Sequence, residues 1–427
     1  MNQPHVHVSG CGGVGMNAVA QLCLAAGWRV SGSDRFYDQG RMLPVLKQLQ
    51  DKGLELKPQD GSALEADSKA LIISTAVEAD NPERLRAAEL GVEEWHRSKA
   101  LAHFAVSDQL LGIAGTSGKT TCCGMLGWVL AEGGLNPWVV NGGGVLGWKN
   151  KQEPGNVRLG GEGAPWVLEL DESDKSLLRF HPARAMISSI TEDHFPMEET
   201  LQLFRDFAAS VRHSIICGPG VKEQLAGDAR ITAQLIAVEE GLDSPLPGEH
   251  NRMNAATVAA LARDCGMQEE AILRALARFP GIERRLEYHG GKVWDDYAHN
   301  PEKIAAVLKA MKTAEDPLIA LWRPHGFAAL QQNFAAFVDC FCEGLAEGDE
   351  AWILPVFYAG GTAPREGLGS AELVHALQQR GCRARLIEDY PQELSLPAET
   401  RLLVMGARDP ELPRFAARAG SARGGLS

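Results

Sequence analysis

The chain is expected to fold as an α/β protein built from three successive units, each an open and mostly parallel sheet. Strand-like apolar runs alternate with helix-length segments along most of its 427 residues, the pattern that builds parallel sheets. Two of the strands run straight into glycine loops, "GCGGVG" at 10–15 and "GTSGKTT" at 115–121. A third alternating stretch begins after "GIERRLEYHGG" at 281–291. The length suits two or three domains of roughly 100–200 residues each.

The elements follow in order. "HVHVSG" (5–10) alternates and ends in glycine, a short strand feeding a turn. "MNAVAQLCLAAG" (16–27) reads as a helix closed by Gly27, and "WRVSGSD" (28–34) as a second strand ending at Asp34. "ALIISTAV" (70–77) is a further buried strand, and "RSKALAHFAVSDQ" (97–109) leads out, which puts a boundary near residue 106. The second unit opens with the strand "LLGIAG", its loop, and a helix from "TTCCGMLGWVLAEGG". "WVLELDES", "AMISSI" and "HSIICG" are strands, while "HNRMNAATVAALARDCG" and "EEAILRALARF" are helices. The third unit starts with the strand "KVWDDYA" and continues through "PEKIAAVLKAMK", "PLIALW", "NFAAFVDCFCEGLA", "EAWILPV", "SAELVHALQQRG", "ARLIED" and "RLLVMGA". The tail "ARAGSARGGLS" is rich in Gly, Ser and Arg and is expected to fray. The expected domains are 1–106, 107–288 and 289–427.

Composition narrows the function. With 45% hydrophobic and 23% charged residues the chain is an ordinary globular one. A net charge of −13 argues against a nucleic-acid partner, which needs a basic face. No 18-residue apolar stretch suggests a membrane span, and no basic region followed by an apolar run suggests a signal peptide, so a cytoplasmic protein is expected. The nine cysteines form no C-x-x-C pair and are odd in number, so free buried thiols are expected instead of a disulfide framework or a zinc site.

Each glycine loop has a physical reading. Gly10, Gly12, Gly13 and Gly15 with Asp34 downstream make a dinucleotide fingerprint, for which NAD is the first thought. Gly115, Thr116, Ser117, Gly118, Lys119, Thr120 and Thr121 lie between an apolar strand and a helix, as in a phosphate loop. There the helix start and backbone N–H groups face phosphate, lysine reaches the β/γ-phosphates, and the hydroxyl binds Mg²⁺. The strict template fails, because its first glycine falls on Ile113. "ELDESD" brings Glu169, Asp171, Glu172 and Asp174 to a strand end, and "EDH" brings Glu192, Asp193 and His194 to another, positions suited to Mg²⁺ ligands beside such a loop.

With these motifs in this order the chain resembles the Mur ligases, ATP-dependent amino-acid ligases of peptidoglycan synthesis. "GTSGKTT" resembles their nucleotide loop, "ELDESD" their magnesium carboxylates, and "EDH" the motif whose histidine serves a second magnesium. "LPGEHNRMNAATVAA" is similar to their adenine-side helix, and "GIERRLE" with "WDDYAHNPEKI" to the hinge arginine and the start of the third domain. The resemblance implies an N-terminal Rossmann-like UDP-binding domain, a central P-loop ATPase-type α/β domain and a C-terminal Rossmann-like α/β domain. It implies ATP and Mg²⁺ as cofactors, with Thr120, Glu169 and His194 as metal ligands and Lys119, Glu169 and His194 as catalytic groups. Asn251 and Asn254 are implied on the adenine side, Arg284 or Arg285 on a phosphate, and Asp296 on the ribose. The N-terminal glycines and Asp34 then hold a UDP sugar, and Tyr297, His299 and His325 orient the amine. The partners are thus small molecules: a UDP-N-acetylmuramate-type nucleotide sugar and an amino acid or short peptide.

Within the family the nearest branches add L-alanine, or a whole tripeptide, to UDP-N-acetylmuramate through an acyl phosphate. Phe204 stands where other branches carry a carbamylated lysine, which fits the alanine-adding branch. Domain closure is expected, with hinges near 106 and 288. Four departures bear on the amine. Gly326 and Ala329 stand where that branch has arginines for the amino-acid carboxylate, Arg408 replaces a usual glycine, Ser117 a usual histidine, and the segment after His194 is about five residues short of the family norm. Arg323 or another cation must then substitute, or the acceptor is not free L-alanine. A non-catalytic homologue and an NAD-dependent dehydrogenase are the remaining alternatives.

Overall fold

The computed structural model describes residues 3–312, 316–357 and 368–424. Three parallel-rich sheets carry the chain, as the alternation predicts. By compactness the chain divides into two units, Met1–Pro245 with Arg252–Ile282, and Leu246–Asn251 with Glu283–Ser427. The first unit holds two sheets and the second holds one.

The first sheet comprises β1 (His5–Ser9), β2 (Arg29–Ser33), β3 (Glu55–Leu56), β4 (Ala70–Ile73) and β5 (Glu94–His96), in the order β3-β2-β1-β4-β5 and parallel throughout. Strand order therefore reverses at β1, whose carboxyl end carries the first glycine loop. In an open α/β sheet that is where ligands bind. The loop feeds the helix Val14–Ala25, and Gly27, at φ +75°, closes the turn beyond it.

Alternating strands usually keep one face in water, but β1 is buried on both. Val6 and Val8 enter the apolar core. On the opposite face a polar row replaces it. His5 sits 2.8 Å from Ser68 Oγ and 2.9 Å from Ser31 Oγ, His7 sits 2.8 Å from Ser31 Oγ and 2.7 Å from Glu83 Oε1, and the Ser9 hydroxyl donates to Glu83. His7 and Glu83 are fully buried. Each polar atom of this row finds a partner, as burial requires.

The second sheet comprises β6 (Leu110–Ala114), β7 (Trp138–Val140), β8 (Val157–Arg158), β9 (Trp166–Glu169), β10 (Arg184–Ile187), β11 (Ser214–Cys217) and β12 (Gln234–Ala237). Its order is β12-β11-β10-β6-β9-β7-β8, parallel except for the β7–β8 pair. β6 lies between β10 and β9, so the phosphate loop opens between the ends of two neighbouring strands. The helix Met197–Ala209 packs Leu203, Phe204 and Phe207 into the core.

The third sheet comprises β13 (Glu287–Tyr288), β14 (Val293–Asp296), β15 (Leu318–Arg323), β16 (Glu350–Ile353), β17 (Ala384–Leu386) and β18 (Arg401–Gly406). Its order is β13-β14-β18-β15-β16-β17, with only β13–β14 antiparallel. Apolar clusters cover both faces.

Two expectations need correction. The tail is not frayed over 417–424, which continues the helix Glu411–Gly424 with Leu412, Phe415, Ala416 and Ala419 buried along one face; residues 425–427 lie outside the described ones. That i, i+3, i+4, i+7 spacing outweighs the Gly/Ser/Arg composition. The cysteines are not all free either. Cys342 and Cys382 form a disulfide with Cα atoms 5.9 Å apart, while the other seven are free.

Phe204→Ala removes a fully buried ring and should cost about 3–5 kcal/mol, read as a lower denaturation midpoint by tryptophan fluorescence.

Candidate active site

The phosphate loop is shaped by contacts that the sequence does not advertise. Gly115 (φ +135°) and Gly118 (φ +83°) take backbone conformations that disfavour side chains, and a Cβ on Gly115 would collide with Ser188 Oγ. The loop lies on the turn after β10. Thr116 N donates to Ser189 O at 3.0 Å, Thr116 Oγ1 lies 2.8 Å from Thr191 Oγ1, and Ser117 N donates to Ser189 Oγ at 3.1 Å. The same turn runs on into Glu192, Asp193 and His194. The "EDH" motif thus reaches the loop because the backbone between them is stitched to it.

The helix Lys119–Glu132 begins at the loop's end, with Thr120 and Thr121 buried in its first turn. Lys119 Nζ donates to Gly115 O at 2.6 Å and to Glu172 Oε1 at 2.8 Å. Burial pushes the Glu172 carboxyl up, and Lys119 opposes that shift. Thr120 Oγ1 donates to Glu169 Oε1 at 3.0 Å, and Gly142 N donates to Glu169 Oε2 at 2.6 Å. Glu172, Asp193 and His194 each offer a ligand atom, all within 4.8 Å of one another. Two sets of hard donors therefore flank the loop, Thr120 with Glu169, and Glu172 with Asp193 and His194. Oxygen-rich sets of this kind suit Mg²⁺. Glu172 and Asp193 were visible in sequence only as members of acidic runs, which do not say which side chains turn inward.

Asn254 sits beside the loop: a Cβ on Gly118 would fall 2.9 Å from its Oδ1, which also accepts from the Cys122 thiol at 3.3 Å. Asn251, one turn earlier on the helix Glu249–Asp264, donates to Pro247 O at 2.7 Å.

At the first glycine loop, Gly13 N donates to Gly10 O at 3.0 Å and closes the turn. Gly12 N donates to Asp34 Oδ2 at 3.0 Å, and Phe36 N donates to Asp34 Oδ1 at 2.9 Å. Asp34 is buried and both its oxygens accept backbone N–H groups, so it anchors the loop. Gly15 lies under Arg97. A pocket of about 430 Å³ opens nearby, lined by Thr75, His96, Ser98, Asp174, Lys175 and Arg179 among others. His96 and Arg97 were missed in sequence, where they are merely the end of a strand and the start of a helix.

In the second unit Asp296 repeats the role of Asp34. Its oxygens accept Leu286 N and Ala298 N, each at 2.8 Å, and burial pushes its pKa up to about 6. Arg284 is committed internally: Nε lies 3.0 Å from Asp295 Oδ2, and Nη2 donates to Gly406 O at 2.7 Å. Arg284 and Arg285 both lie over the Tyr297 ring, at 5.2 and 5.6 Å. His299 and His325 stack edge-on at 5.2 Å, following β14 and β15. Burial is the main cause that pushes His299 down to about 4 and lowers His325. Arg323 is held by buried Asp409 at 2.6 Å, an oxygen that also accepts from Tyr390 OH at 2.6 Å. That contact takes up Nη1; among the described residues Nε has no hydrogen-bond partner. Arg408 is exposed with φ +64°, beyond β18.

Comparison with known proteins adds three findings. A model described as Mur ligase family, catalytic domain, matches residues 5–108. UDP-N-acetylmuramate–L-alanine ligases are similar along most of the chain. That of Synechococcus sp. (strain JA-2-3B'a(2-13)) is 33% identical over 421 residues, covering 90% of this chain and 85% of its own. That of Mesorhizobium japonicum is 32% identical over 432 residues, covering 90% and 89%. Among solved structures, the UDP-N-acetylmuramate-alanine ligase of Thermotoga maritima aligns with a TM-score of 0.78 at 23% identity, over 98% of both chains. A murein peptide ligase of Psychrobacter arcticus aligns at 0.69 and 19%, over 99% of both. The two structures share the fold.

His299 generates a pH prediction. Folded, it protonates near pH 4 against an ordinary 6.5, so between those values the unfolded chain holds the extra proton and acidification lowers stability. Asp296, raised to about 6, acts in the opposite sense over the lower part of that window, because there the folded state holds the proton. A comparison of wild type with His299→Gln isolates the histidine. The variant should lose less stability than wild type between about pH 7 and 4.5. Equal losses in urea titrations would refute it.

Proposed function

We propose, for a chain that belongs to the Mur ligase family, that this ATP-dependent ligase joins L-alanine to UDP-N-acetylmuramate in the cytoplasm, a step of peptidoglycan precursor synthesis. The observation that carries the chemistry is the meeting of Lys119, Thr120, Glu169, Glu172, Asp193 and His194 around one phosphate loop. Among the described residues no helix is long and apolar enough to cross a membrane.

The muramyl carboxylate attacks the γ-phosphate of ATP in line, giving an acyl phosphate and ADP. The amine then displaces phosphate and forms the amide. The first step asks mainly for positioning and charge neutralisation. Lys119, which now donates to Gly115 O and Glu172, is the group that turns to the β/γ-phosphates. Thr120 and Glu169, and His194 with Glu172 and Asp193, would hold Mg²⁺, which would supply further neutralisation of phosphate charge. Asn251 and Asn254 serve the adenine side, Arg284 or Arg285 a phosphate and Asp296 the ribose. The Gly10–Gly15 loop and Asp34 hold the UDP moiety, and Tyr297, His299 and His325 orient the amine. Neutral imidazoles suit an amine that must itself be unprotonated to attack.

A second reading, attachment of a tripeptide, is favoured by one observation. Gly326 and Ala329 carry no cation and Arg323 gives Nη1 to Asp409, so the segment lacks the pair of arginines expected for the carboxylate of a single amino acid.

Phosphate release from ATP and UDP-N-acetylmuramate should require L-alanine. Release with the tripeptide alone assigns the second reading, and none with any amine removes both. Lys119→Ala should lower kcat by a factor on the order of 10²–10³, and a wild-type rate would overturn the site assignment.

A further inference from the structure

Four acids crowd the six residues Glu169–Asp174, and they face two ways. Glu169 and Glu172, three apart, turn to Thr120 and Lys119 on the phosphate loop. Asp171 and Asp174, also three apart, turn to Arg97 in the first sheet's half of the unit. Arg97 Nη2 lies 3.3 Å from Asp171 Oδ2 and 3.5 Å from Asp174 Oδ2, and His96 Nε2 lies 3.4 Å from the same Asp174 oxygen. Asp171 is further fixed by Ser173, whose N and hydroxyl donate to Oδ1 at 3.0 and 2.7 Å.

The other end of the Arg97 side chain lies on the first glycine loop. A Cβ on Gly15 would fall 2.8 Å from Arg97 Cδ and 3.0 Å from Nη1. Glycine at this position is what lets the guanidinium lie against the loop. An arginine presents five N–H donors in a rigid fork, so Nη1 can serve an anion on the loop while Nη2 keeps its carboxylates. The guanidinium is mostly shielded, with 19% of the side chain exposed, so its pairs are screened less than surface ones.

We propose that Arg97 is a positioning residue that couples the two nucleotide sites, an inference that rests on the reading of the glycine loop as the holder of a UDP sugar. A diphosphate on Gly10–Gly15 binds Nη1 and fixes the guanidinium. The guanidinium then fixes Asp171 and Asp174, and the segment they share sets Glu169 and Glu172 against the phosphate loop. Occupation of either site therefore tightens the other, by the same factor in both directions.

Titration calorimetry on the full chain tests this, with UDP-N-acetylmuramate as one ligand and a magnesium-bound, non-hydrolysable ATP analogue as the other. In wild type the analogue should lower the Kd for UDP-N-acetylmuramate about tenfold, within the usual range of allosteric coupling. In the double variant Asp171→Asn/Asp174→Asn, which leaves Arg97 to the glycine loop, that ratio should fall to about one. The Kd for UDP-N-acetylmuramate alone should move by less than about threefold, a split that a merely structural role would not give. Melting curves check the fold, and the single variants stand in if the double one is unstable at the assay temperature. A wild-type ratio of one, or equal ratios in wild type and variants, overturns the coupling alone. Failure of wild type to bind UDP-N-acetylmuramate at all overturns the functional reading and this inference with it.

Discussion

Lys119 and Glu172 are largely shut off from water, and each is tolerable there only because the other is present. Much of the phosphate-loop architecture follows from that pair. Lys119 is placed by the left-handed turn at Gly118, and Glu172 by the segment that leaves β9. The loop between them cannot drift, because Thr116 and Ser117 are bonded to the turn after β10. An arriving phosphate would take over Lys119 as its own counter-charge. In the proposed reading Glu172 would then share a cation with Asp193 and His194, which lie beside it. The resting ion pair and the proposed metal–nucleotide site would in this sense be two occupants of one electrostatic frame.

Topology brings the rest to that frame. In the first sheet strand order reverses at β1, and in the second the neighbours of β6 end in the two acidic motifs. Both loops sit at carboxyl ends, where backbone N–H groups and helix starts favour anions. The proposed binding of two nucleotides by one chain would need no special device beyond this, only two open sheets in succession. What links them is the short acidic segment after β9.

The fold was legible because period and punctuation agree: apolar runs of strand length, glycine loops, helix-length periodic segments. The phosphate loop and its acidic companions were legible for the same reason, each being local in sequence. What escaped depends on long-range pairing or on side-chain direction. Arg97 meets Asp171 across 74 residues, and no spacing rule relates them. Asp34 and Asp296 stand at strand ends as ligand residues do, and their oxygens also accept backbone N–H groups, which no spacing rule reveals. The doublet Arg284–Arg285 does not announce that Arg284 pairs with Asp295. Arg323 gives one nitrogen to Asp409, 86 residues on. The tail misled because the apolar stripe that holds its helix begins upstream of it, at Leu412, Phe415 and Ala416.

The polar row along β1 has a consequence for how the first sheet assembles. Sliding β1 by one residue against β2 and β4 would exchange His5 and His7 for Val6 and Val8, and Glu83 would face methyl groups with no donor. An all-valine strand would accept either alignment nearly equally. The buried histidines thus act as a key for strand alignment: their chain of partners closes in one arrangement and leaves an ionisable group stranded in the neighbouring one. Residues that touch no substrate in this reading therefore guard the placement of the glycine loop that does.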